Sequence, residues 1–221
     1  MLQRTRVKIC GLTRPEDVKA AVAYGADALG FVFYPESPRY VTPLQAASLL
    51  AEVPPFVTTV GLFVNASAEF VAQTVAVAPV ALLQFHGDET AQQCHQLASA
   101  VNRPFIKAFR VKADTSATDL LECEKIYRAA SPLFGGLLLD TFVEGFGGSG
   151  KVFDWSLIPK ELAPRVVLSG GLSVQNATDA ISRVRPFAVD ISSGVEQGKG
   201  IKDEAKLRAF IQAVRLVDNQ G

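Results

Sequence analysis

The sequence predicts an α/β protein of the (β/α)8 TIM-barrel class, with eight parallel strands and an outer ring of helices. Short β-rich runs alternate with helical patterns along the whole chain, which is typical of a parallel sheet. Eight strand–helix units in 221 residues leave roughly 28 residues for each unit, about the size of a minimal βα repeat. No Ser/Gly-rich linker or block of charge divides the chain, so residues 1–221 are predicted to form one domain.

Polar residues recur at the predicted strand ends, and this pattern favours a closed barrel. An open doubly wound sheet is the alternative architecture, and it usually binds its ligand at one switch point between strands. A barrel instead collects the carboxyl ends of all its strands around one mouth. The polar strand-end residues are Cys10, Gln84, Lys107, Asp140, Ser169 and Asp190.

The elements follow one another in a regular order. The predicted strands are 6–10, 28–33, 57–64, 81–86, 104–109, 136–140, 166–169 and 187–191. The helical patterns that follow them are 14–24, 43–52, 67–78, 89–101, 116–130, 154–160, 173–183 and 203–217. Thr13 to Glu16 fits a capping box with Pro15 in the first turn, and Ser173 and Asp203 are candidate N-caps of the last two helices.

Charge and composition exclude several classes of function. Lysine plus arginine equals aspartate plus glutamate at 22 each, so bulk charge indicates no affinity for nucleic acid or membranes. No apolar run of about 18 residues is present, and the first residues lead into no apolar signal core, so we expect a cytoplasmic protein without a membrane span. The three cysteines form no C-x-x-C pair, which argues against a zinc knuckle or a disulfide framework.

Cys10 closes the first predicted strand and Asp140 closes the sixth, where barrels carry their chemistry. An ordinary cysteine is a small buried hydrophobe, and we assign that role to Cys94 and Cys123, which lie in helical segments. As a base, Cys10 needs nearby positive charge, and Lys8 lies on the same face of the strand. As an acid, Asp140 must keep its proton near neutral pH, which requires burial; its alternative role is to cap the following turn.

Two glycine turns follow the seventh and eighth strands. They are Ser169-Gly170-Gly171-Leu172 and Ser192-Ser193-Gly194-Val195. Barrels often bind phosphate between these two loops through exposed backbone N–H groups, and glycine lets the backbone approach the anion closely. The pair predicts a phosphate site formed by Gly170, Gly171, Ser193 and Gly194.

The stretch Gly145–Val152 imitates two nucleotide-binding motifs without completing either. It matches G-x-G-x-x-G, but no acidic residue stands about 20 positions further on to hold a ribose. It also nearly matches the phosphate loop of ATPases, but Val152 replaces the Ser or Thr that would hold magnesium. We expect a flap over the site, with a plain loop as the alternative.

Three further polar residues are candidates for lining the site. Arg39 lies in the loop after the second strand, and its fork of five donors suits a carboxylate, although a solvated surface arginine is the ordinary alternative. His86 ends the fourth strand, and Asp190 in the eighth could bind sugar hydroxyls or order the loop. His95 lies in a helix, and two histidines placed in this way predict no metal site.

Short motifs in a fixed order extend over nearly the whole chain. They are 8–13, 30–33 with 37–39, 60–65, 84–87, 139–141, 148–151 with 153–155, 169–172 and 190–196. Each motif is weak alone, but together they resemble the phosphoribosylanthranilate isomerase family of tryptophan biosynthesis. The family is a barrel, which agrees with the unit count.

The resemblance implies an Amadori rearrangement of N-(5-phosphoribosyl)anthranilate that uses no cofactor. By position, Asp140 is implied as the acid that opens the ribose ring, and Cys10 as the base that removes the C2 proton. Arg39 is implied for the anthranilate carboxylate and the two glycine turns for the phosphate. From their positions at strand ends, His86 and Asp190 are predicted as further substrate contacts. The expected partner is this small-molecule substrate, with no nucleic acid or membrane, and the expected assembly is a monomer or a homodimer.

Two other functions stay open on the residues alone. Another phosphosugar isomerase, such as the histidine-pathway enzyme, would place carboxylates at two strand ends, whereas the first strand here ends in a thiol. A non-catalytic barrel that binds phosphometabolites would keep the glycine turns without needing Cys10 or Asp140.

Overall fold

The computed structural model describes residues 4–141 and 152–218. Eight parallel strands form a closed barrel in chain order: β1 (Arg6–Cys10), β2 (Ala28–Val32), β3 (Thr58–Phe63), β4 (Leu82–Phe85), β5 (Phe105–Val111), β6 (Phe134–Thr141), β7 (Val167–Leu168) and β8 (Ala188–Ile191). β1 pairs with β8, with Lys8 opposite Asp190, and this pairing closes the cylinder. The predicted barrel is confirmed, and the open doubly wound sheet is wrong.

Seven α-helices accompany the strands in the described residues. They are α1 (Pro15–Tyr24), α2 (Pro43–Leu50), α3 (Ala68–Val77), α4 (Ala91–Val101), α5 (Ala117–Ala130), α6 (Ala177–Val184) and α7 (Glu204–Asp218). Each of them follows a strand, as the alternating pattern predicts. Within the described ranges, no helix has the length and apolar character that crossing a membrane requires.

The helix predicted at 154–160 is wrong. The described residues between β6 and β7 contain two short 3-10 turns, Trp155–Leu157 and Ala163–Arg165. Asp154 Oδ1 accepts a hydrogen bond from Ser156 N at 3.0 Å, which begins the first turn. The turn stops before Pro159, because proline lacks an N–H and forces the residue before it into extended backbone.

The N-caps of the helices agree only in part with those predicted from the sequence. Capping boxes begin α2 (Thr42 with Gln45), α4 (Thr90 with Gln93) and α5 (Ser116 with Asp119). Asp203 caps α7, since its Oδ1 accepts from Lys206 N at 3.0 Å. The box predicted at Thr13 is wrong, because the Thr13 hydroxyl donates to the Gly200 carbonyl and Arg14 is the N-cap. Ser173 also fails as a cap, because its N–H donates to Asn176 Oδ1 in a turn that precedes α6.

Alternation along the strands divides the apolar side chains into two layers. The inner layer, inside the barrel, consists of Ile106, Ala108, Leu138, Val167 and Ala188. Leu137 and Leu139, on either side of Leu138, belong instead to the larger layer between strands and helices. Asp140 shares the parity of Leu138, so its carboxyl lies on the inner side, at the end of the barrel where the strands finish.

A small antiparallel hairpin, which the sequence pattern did not predict, lies between β8 and α7. Its strands are β9 (Glu196–Gly198) and β10 (Ile201–Lys202), and a 3-10 turn at Ser193–Val195 leads into it. Gly200 makes the reversal with a positive φ of 76°. The hairpin places Glu196 and Lys202 beside the barrel mouth.

Candidate active site

A pocket of about 770 Å³, open to solvent, lies where the strands end. All nine residues predicted for the site line it: Cys10, Arg39, His86, Asp140, Gly170, Gly171, Asp190, Ser193 and Gly194. Val32, Leu62 and Val64 supply an apolar wall on the side of β2 and β3. The structure therefore brings together a thiol, a carboxyl, a guanidinium and two glycine turns.

One of the polar residues at the strand ends does not line the pocket. Lys107 lies between Ile106 and Ala108, which point into the barrel, so its own side chain points toward the helices. Its Nζ donates to the Gly87 carbonyl at 2.6 Å and lies 3.1 Å from Glu89 Oε2. The prediction that Lys107 belongs to the polar ring of the mouth is therefore wrong.

The Cys10 thiol occupies a space that a neighbouring glycine leaves open. Cys10 pairs with Gly30 across β1 and β2. A Cβ added at Gly30 would lie 2.8 Å from Cys10 Sγ and 3.1 Å from Lys8 Nζ, so even a methyl group would displace them. Glycine at this position keeps the thiol and the ammonium beside the pocket.

A buried ion pair lies directly beneath the thiol. Lys8 Nζ donates to Asp190 Oδ1 at 2.8 Å, and both side chains are almost fully buried. Burial lowers the pKa of Lys8, but the charge and hydrogen bond of Asp190, with a further contribution from the Cys10 side chain, hold it above its ordinary value. Burial also raises the pKa of the Cys10 thiol, and it outweighs the opposing effect of Lys8. Lys8 therefore stays charged, and the thiol keeps its proton in the unliganded pocket.

Asp140 is the end of a hydrogen-bonded chain of three side chains. Gln84 Nε2 lies 2.9 Å from His86 Nδ1, and His86 Nε2 lies 3.1 Å from Asp140 Oδ2. With the amide donating to Nδ1, a neutral imidazole carries its proton on Nε2 and donates it to the carboxylate. The other carboxyl oxygen, Oδ1, accepts from Thr141 N at 2.9 Å. The chain fixes the orientation of the Asp140 carboxyl at the rim.

The two glycine turns lie against each other and against the rim. A Cβ at Gly194 would lie 2.1 Å from the Leu172 carbonyl oxygen, which belongs to the other turn. Gly170 has a φ of 82°, and a Cβ there would lie 2.7 Å from Asp140 Oδ1. Both turns therefore depend on glycine, and together they present backbone to one side of the pocket, as an anion requires.

Arg39 has a partner that the sequence reasoning missed. Glu196 Oε1 and Oε2 accept from Arg39 Nε and Nη2 at 2.7 and 2.8 Å. Lys202 Nζ lies 3.0 Å from the same carboxylate. Glu196 ends the motif 190–196, but the sequence carries no signal that pairs it with Arg39; the burial of both side chains in the structure shows why they need each other.

The remaining predictions concern loops and metals. The flap predicted at 145–152 lies outside the described residues except for Val152. In residues 4–141 and 152–218, no group of three or more His, Cys, Asp or Glu side chains could hold a metal ion.

The chain matches a known protein family over most of its length. The family model described as N-(5'phosphoribosyl)anthranilate (PRA) isomerase matches residues 7–213. The N-(5'-phosphoribosyl)anthranilate isomerase of Herminiimonas arsenicoxydans is 68% identical over 218 residues, which cover 99% of this chain and 96% of that protein.

Several solved structures that resemble this chain carry the same name as its homologues. Phosphoribosyl anthranilate isomerase from Thermotoga maritima matches with a TM-score of 0.84 and 43% identity, over 96% of this chain and 98% of that one. A complex of such an isomerase with reduced 1-(o-carboxyphenylamino)-1-deoxyribulose 5-phosphate matches with a TM-score of 0.78 and 39% identity, over 96% and 98% of the two chains. Monomers generated from the dimeric Thermotoga maritima enzyme match with a TM-score of 0.80 and 37% identity, over the same shares.

Proposed function

The chain belongs to the N-(5'-phosphoribosyl)anthranilate isomerase family, and from this premise we propose which of its residues carry out the reaction. It is an aldose–ketose isomerase of tryptophan biosynthesis. The reaction rearranges N-(5-phosphoribosyl)anthranilate to 1-(2-carboxyphenylamino)-1-deoxyribulose 5-phosphate. Atoms and electrons balance within the substrate, so one acid and one base can carry the chemistry.

Asp140 is the general acid in this proposal. It donates a proton to the ribose ring oxygen, the C1–oxygen bond breaks, and a Schiff base forms between C1 and the anthranilate nitrogen. The hydrogen bonds from His86 and from Thr141 N hold the carboxyl in place for this transfer. A substrate that covers the rim excludes water from the proton transfer.

Cys10 is the general base in this proposal. Its thiolate removes the proton from C2 of the Schiff base, which gives an enolamine that tautomerises to the ketone. Lys8, hydrogen-bonded to Asp190, holds a positive charge beside the sulfur and stabilises the thiolate when it forms. Gly30 leaves the space in which the sulfur lies.

The two anionic ends of the substrate fix its position. We assign the anthranilate carboxylate to Arg39 and the phosphate to the turns that contain Gly170, Gly171, Ser193 and Gly194, with His86 and Asp190 as further substrate contacts. A guanidinium suits a planar carboxylate, and backbone N–H groups suit phosphate. Holding both ends turns the proton transfers into steps between positioned groups, which lowers their barrier.

A single observation carries the assignment of roles. The Cys10 thiol and the Asp140 carboxyl line the same pocket, and the two glycine turns line it beside them. A barrel that bound phosphometabolites without catalysis would not need the thiol or the carboxyl at these positions.

A fluorescence assay tests the assignment, because phosphoribosylanthranilate loses its fluorescence on conversion. We expect Cys10→Ser and Asp140→Asn each to lower turnover by roughly 10² to 10⁴, while Cys123→Ser, outside the pocket lining, serves as the control. Near-normal turnover of Cys10→Ser or of Asp140→Asn would remove that residue from its role.

The proposal also covers the assembly of the protein. We propose a homodimer, because Phe56 is the most exposed large apolar side chain of the described residues and the Thermotoga maritima relative is dimeric.

We propose a cytoplasmic location, since Cys10, Cys94 and Cys123 are free thiols and a catalytic thiol must stay reduced. The small-molecule substrate is the proposed ligand, nucleic acid is not a proposed partner, and residues 1–221 are proposed to form one domain.

A further inference from the structure

Three charged side chains meet beside the pocket in a cluster of which the reaction scheme gives a function to Arg39 alone. The cluster consists of Arg39, Glu196 and Lys202. The side chain of Lys202 is fully buried, that of Glu196 is 6% exposed and that of Arg39 is 11% exposed. Buried charges are expensive unless they are paired, so this arrangement requires an explanation.

Glu196 occupies one edge of the Arg39 guanidinium. It accepts hydrogen bonds from Nε and Nη2, at 2.7 and 2.8 Å. The other edge, formed by Nη1 and the second proton of Nη2, is the edge that can still bind a carboxylate with two parallel hydrogen bonds. Since Arg39 lines the pocket, an incoming ligand can meet it there.

The stem of Arg39 is also held. A Cβ at Gly11, the residue after Cys10, would lie 2.4 Å from Arg39 Cδ, so the arginine passes directly over this glycine. The guanidinium is therefore fixed by its stem on one side and by Glu196 on the other. A fixed fork loses less conformational entropy when it binds.

The charges of the cluster do not cancel. Burial raises the pKa of Glu196, but hydrogen bonds from Arg39 and Lys202 bring it below its ordinary value, so Glu196 is ionised. Burial lowers the pKa of Lys202, and the charge of Glu196 raises it again only in part, so the pKa stays below its ordinary value. Two cations and one anion leave a net charge of +1 when Lys202 is protonated, and one carboxylate neutralises it.

We propose that Glu196 is a positioning residue that makes the enzyme select substrates with an aryl carboxylate. It holds Arg39 by one edge so that the opposite edge meets the carboxylate on the aromatic ring. Lys202 anchors Glu196 from behind, with its Nζ also donating to the Ser192 carbonyl at 3.2 Å. The proposal rests on the proposed function, since it takes the anthranilate carboxylate as the ligand of Arg39.

The test compares two unreactive ligands by calorimetric titration. One is reduced 1-(o-carboxyphenylamino)-1-deoxyribulose 5-phosphate, and the other is the same compound with a plain phenyl ring. We expect Glu196→Gln to weaken the first ligand about tenfold or more, as the loss of a charge-assisted contact implies, and the second by less than about twofold. In steady-state assays it should raise KM more than it lowers kcat.

A double-mutant cycle separates positioning from a general loss of structure. In an Arg39→Ala background, Glu196→Gln should change the Kd of the carboxylate ligand by less than about twofold, because its effect passes through Arg39. Glu196→Asp, which keeps the charge, should retain part of the affinity for the carboxylate ligand and stands in if Glu196→Gln fails to fold.

The control is another carboxylate that lies between two cations. Glu124 on α5 bonds Arg128 and Arg165, is 10% exposed and does not line the pocket. Glu124→Gln should leave the affinities of both ligands unchanged.

Three results would overturn the proposal: equal weakening of both ligands by Glu196→Gln, additive effects in the cycle, or tighter binding of the carboxylate ligand. Failure of the proposed function looks different, because wild-type enzyme would then neither convert phosphoribosylanthranilate nor bind either ligand.

Discussion

Cys10 lies between opposing influences on its proton. Burial raises the pKa of the thiol, Lys8 lowers it, Asp190 raises it and Lys202 lowers it, and the outcome is a pKa above the ordinary value. The thiolate is therefore the minor form of the free enzyme near neutral pH. Because the thiolate is the active form of a base, its raised pKa is the property to titrate.

We expect the Cys10 thiolate of the free enzyme to form along a titration limb that lies above the ordinary pKa range of a thiol. The sign follows from deprotonation: raising the pH creates thiolate, and a raised pKa moves that gain to higher pH. The ultraviolet absorbance of the thiolate, taken as the difference between the wild-type enzyme and Cys10→Ser across the alkaline range, measures it. A difference that is already complete at neutral pH would contradict the raised pKa.

Single residues were predictable where position alone defined their role. Cys10 and Asp140 stand out because they close strands, and strand ends meet at one mouth. Glu196 did not stand out, because its role depends on Arg39, which lies 157 positions away in the sequence. Lys107 was misplaced because the rule of strand ends ignores the face to which a side chain points.

The loop from β4 to α4 shows how one element holds a site residue. Glu89 Oε1 accepts from Asn65 N at 2.7 Å, and Glu89 Oε2 accepts from Gly87 N at 3.0 Å. Lys107 Nζ lies 3.1 Å from the same carboxylate. This buried pair fixes the loop that begins at His86, and through His86 it supports Asp140.

We expect Lys107→Met to lower the free energy of unfolding by about 3–5 kcal/mol, because it leaves the Glu89 carboxylate buried without its cation. The double variant Lys107→Met/Glu89→Gln should lose less, since no unpaired charge remains. Urea denaturation of both variants measures the difference. A double variant that is less stable than the single one would contradict this reasoning, because it would show that the Glu89 carboxylate stabilises the loop without its cation.

Strands and helices were predictable where turn residues mark their ends in the sequence. Each of the eight barrel strands was found from its apolar run, since such runs are bounded by turn residues. The helix predicted at 154–160 was wrong because Pro159 interrupts it early, and the hairpin of β9 and β10 was missed because five residues of mixed polarity carry no period of two.

Closure of the barrel was predictable at the scale of the whole molecule. Regular alternation of strands and helices specifies parallel pairing, and eight units suffice to bring β8 back to β1. The shape of the pocket was not predictable, because it depends on contacts such as Gly194 with Leu172, which join separate turns.

The proposed dimer predicts a role for Phe56, which lies in the loop before β3, at the end of the barrel opposite the mouth. Its side chain is fully exposed and its φ is 71°, an unfavourable conformation for an aromatic residue. We expect Phe56→Asp to weaken dimerisation about tenfold or more, measured by sedimentation at several concentrations. Leu216→Asp, at another exposed apolar side chain, is the matched control. Wild-type enzyme that sediments as a monomer would reject the dimer.

The vacancy at Gly30 limits how this enzyme can be re-engineered for bulkier aryl amines. Any side chain at position 30 of β2 would collide with the sulfur, so a randomised library should leave this glycine unchanged. Leu62 and Val64 on the apolar wall contribute no reacting group, and replacing them with smaller residues offers the practical route to a wider substrate scope.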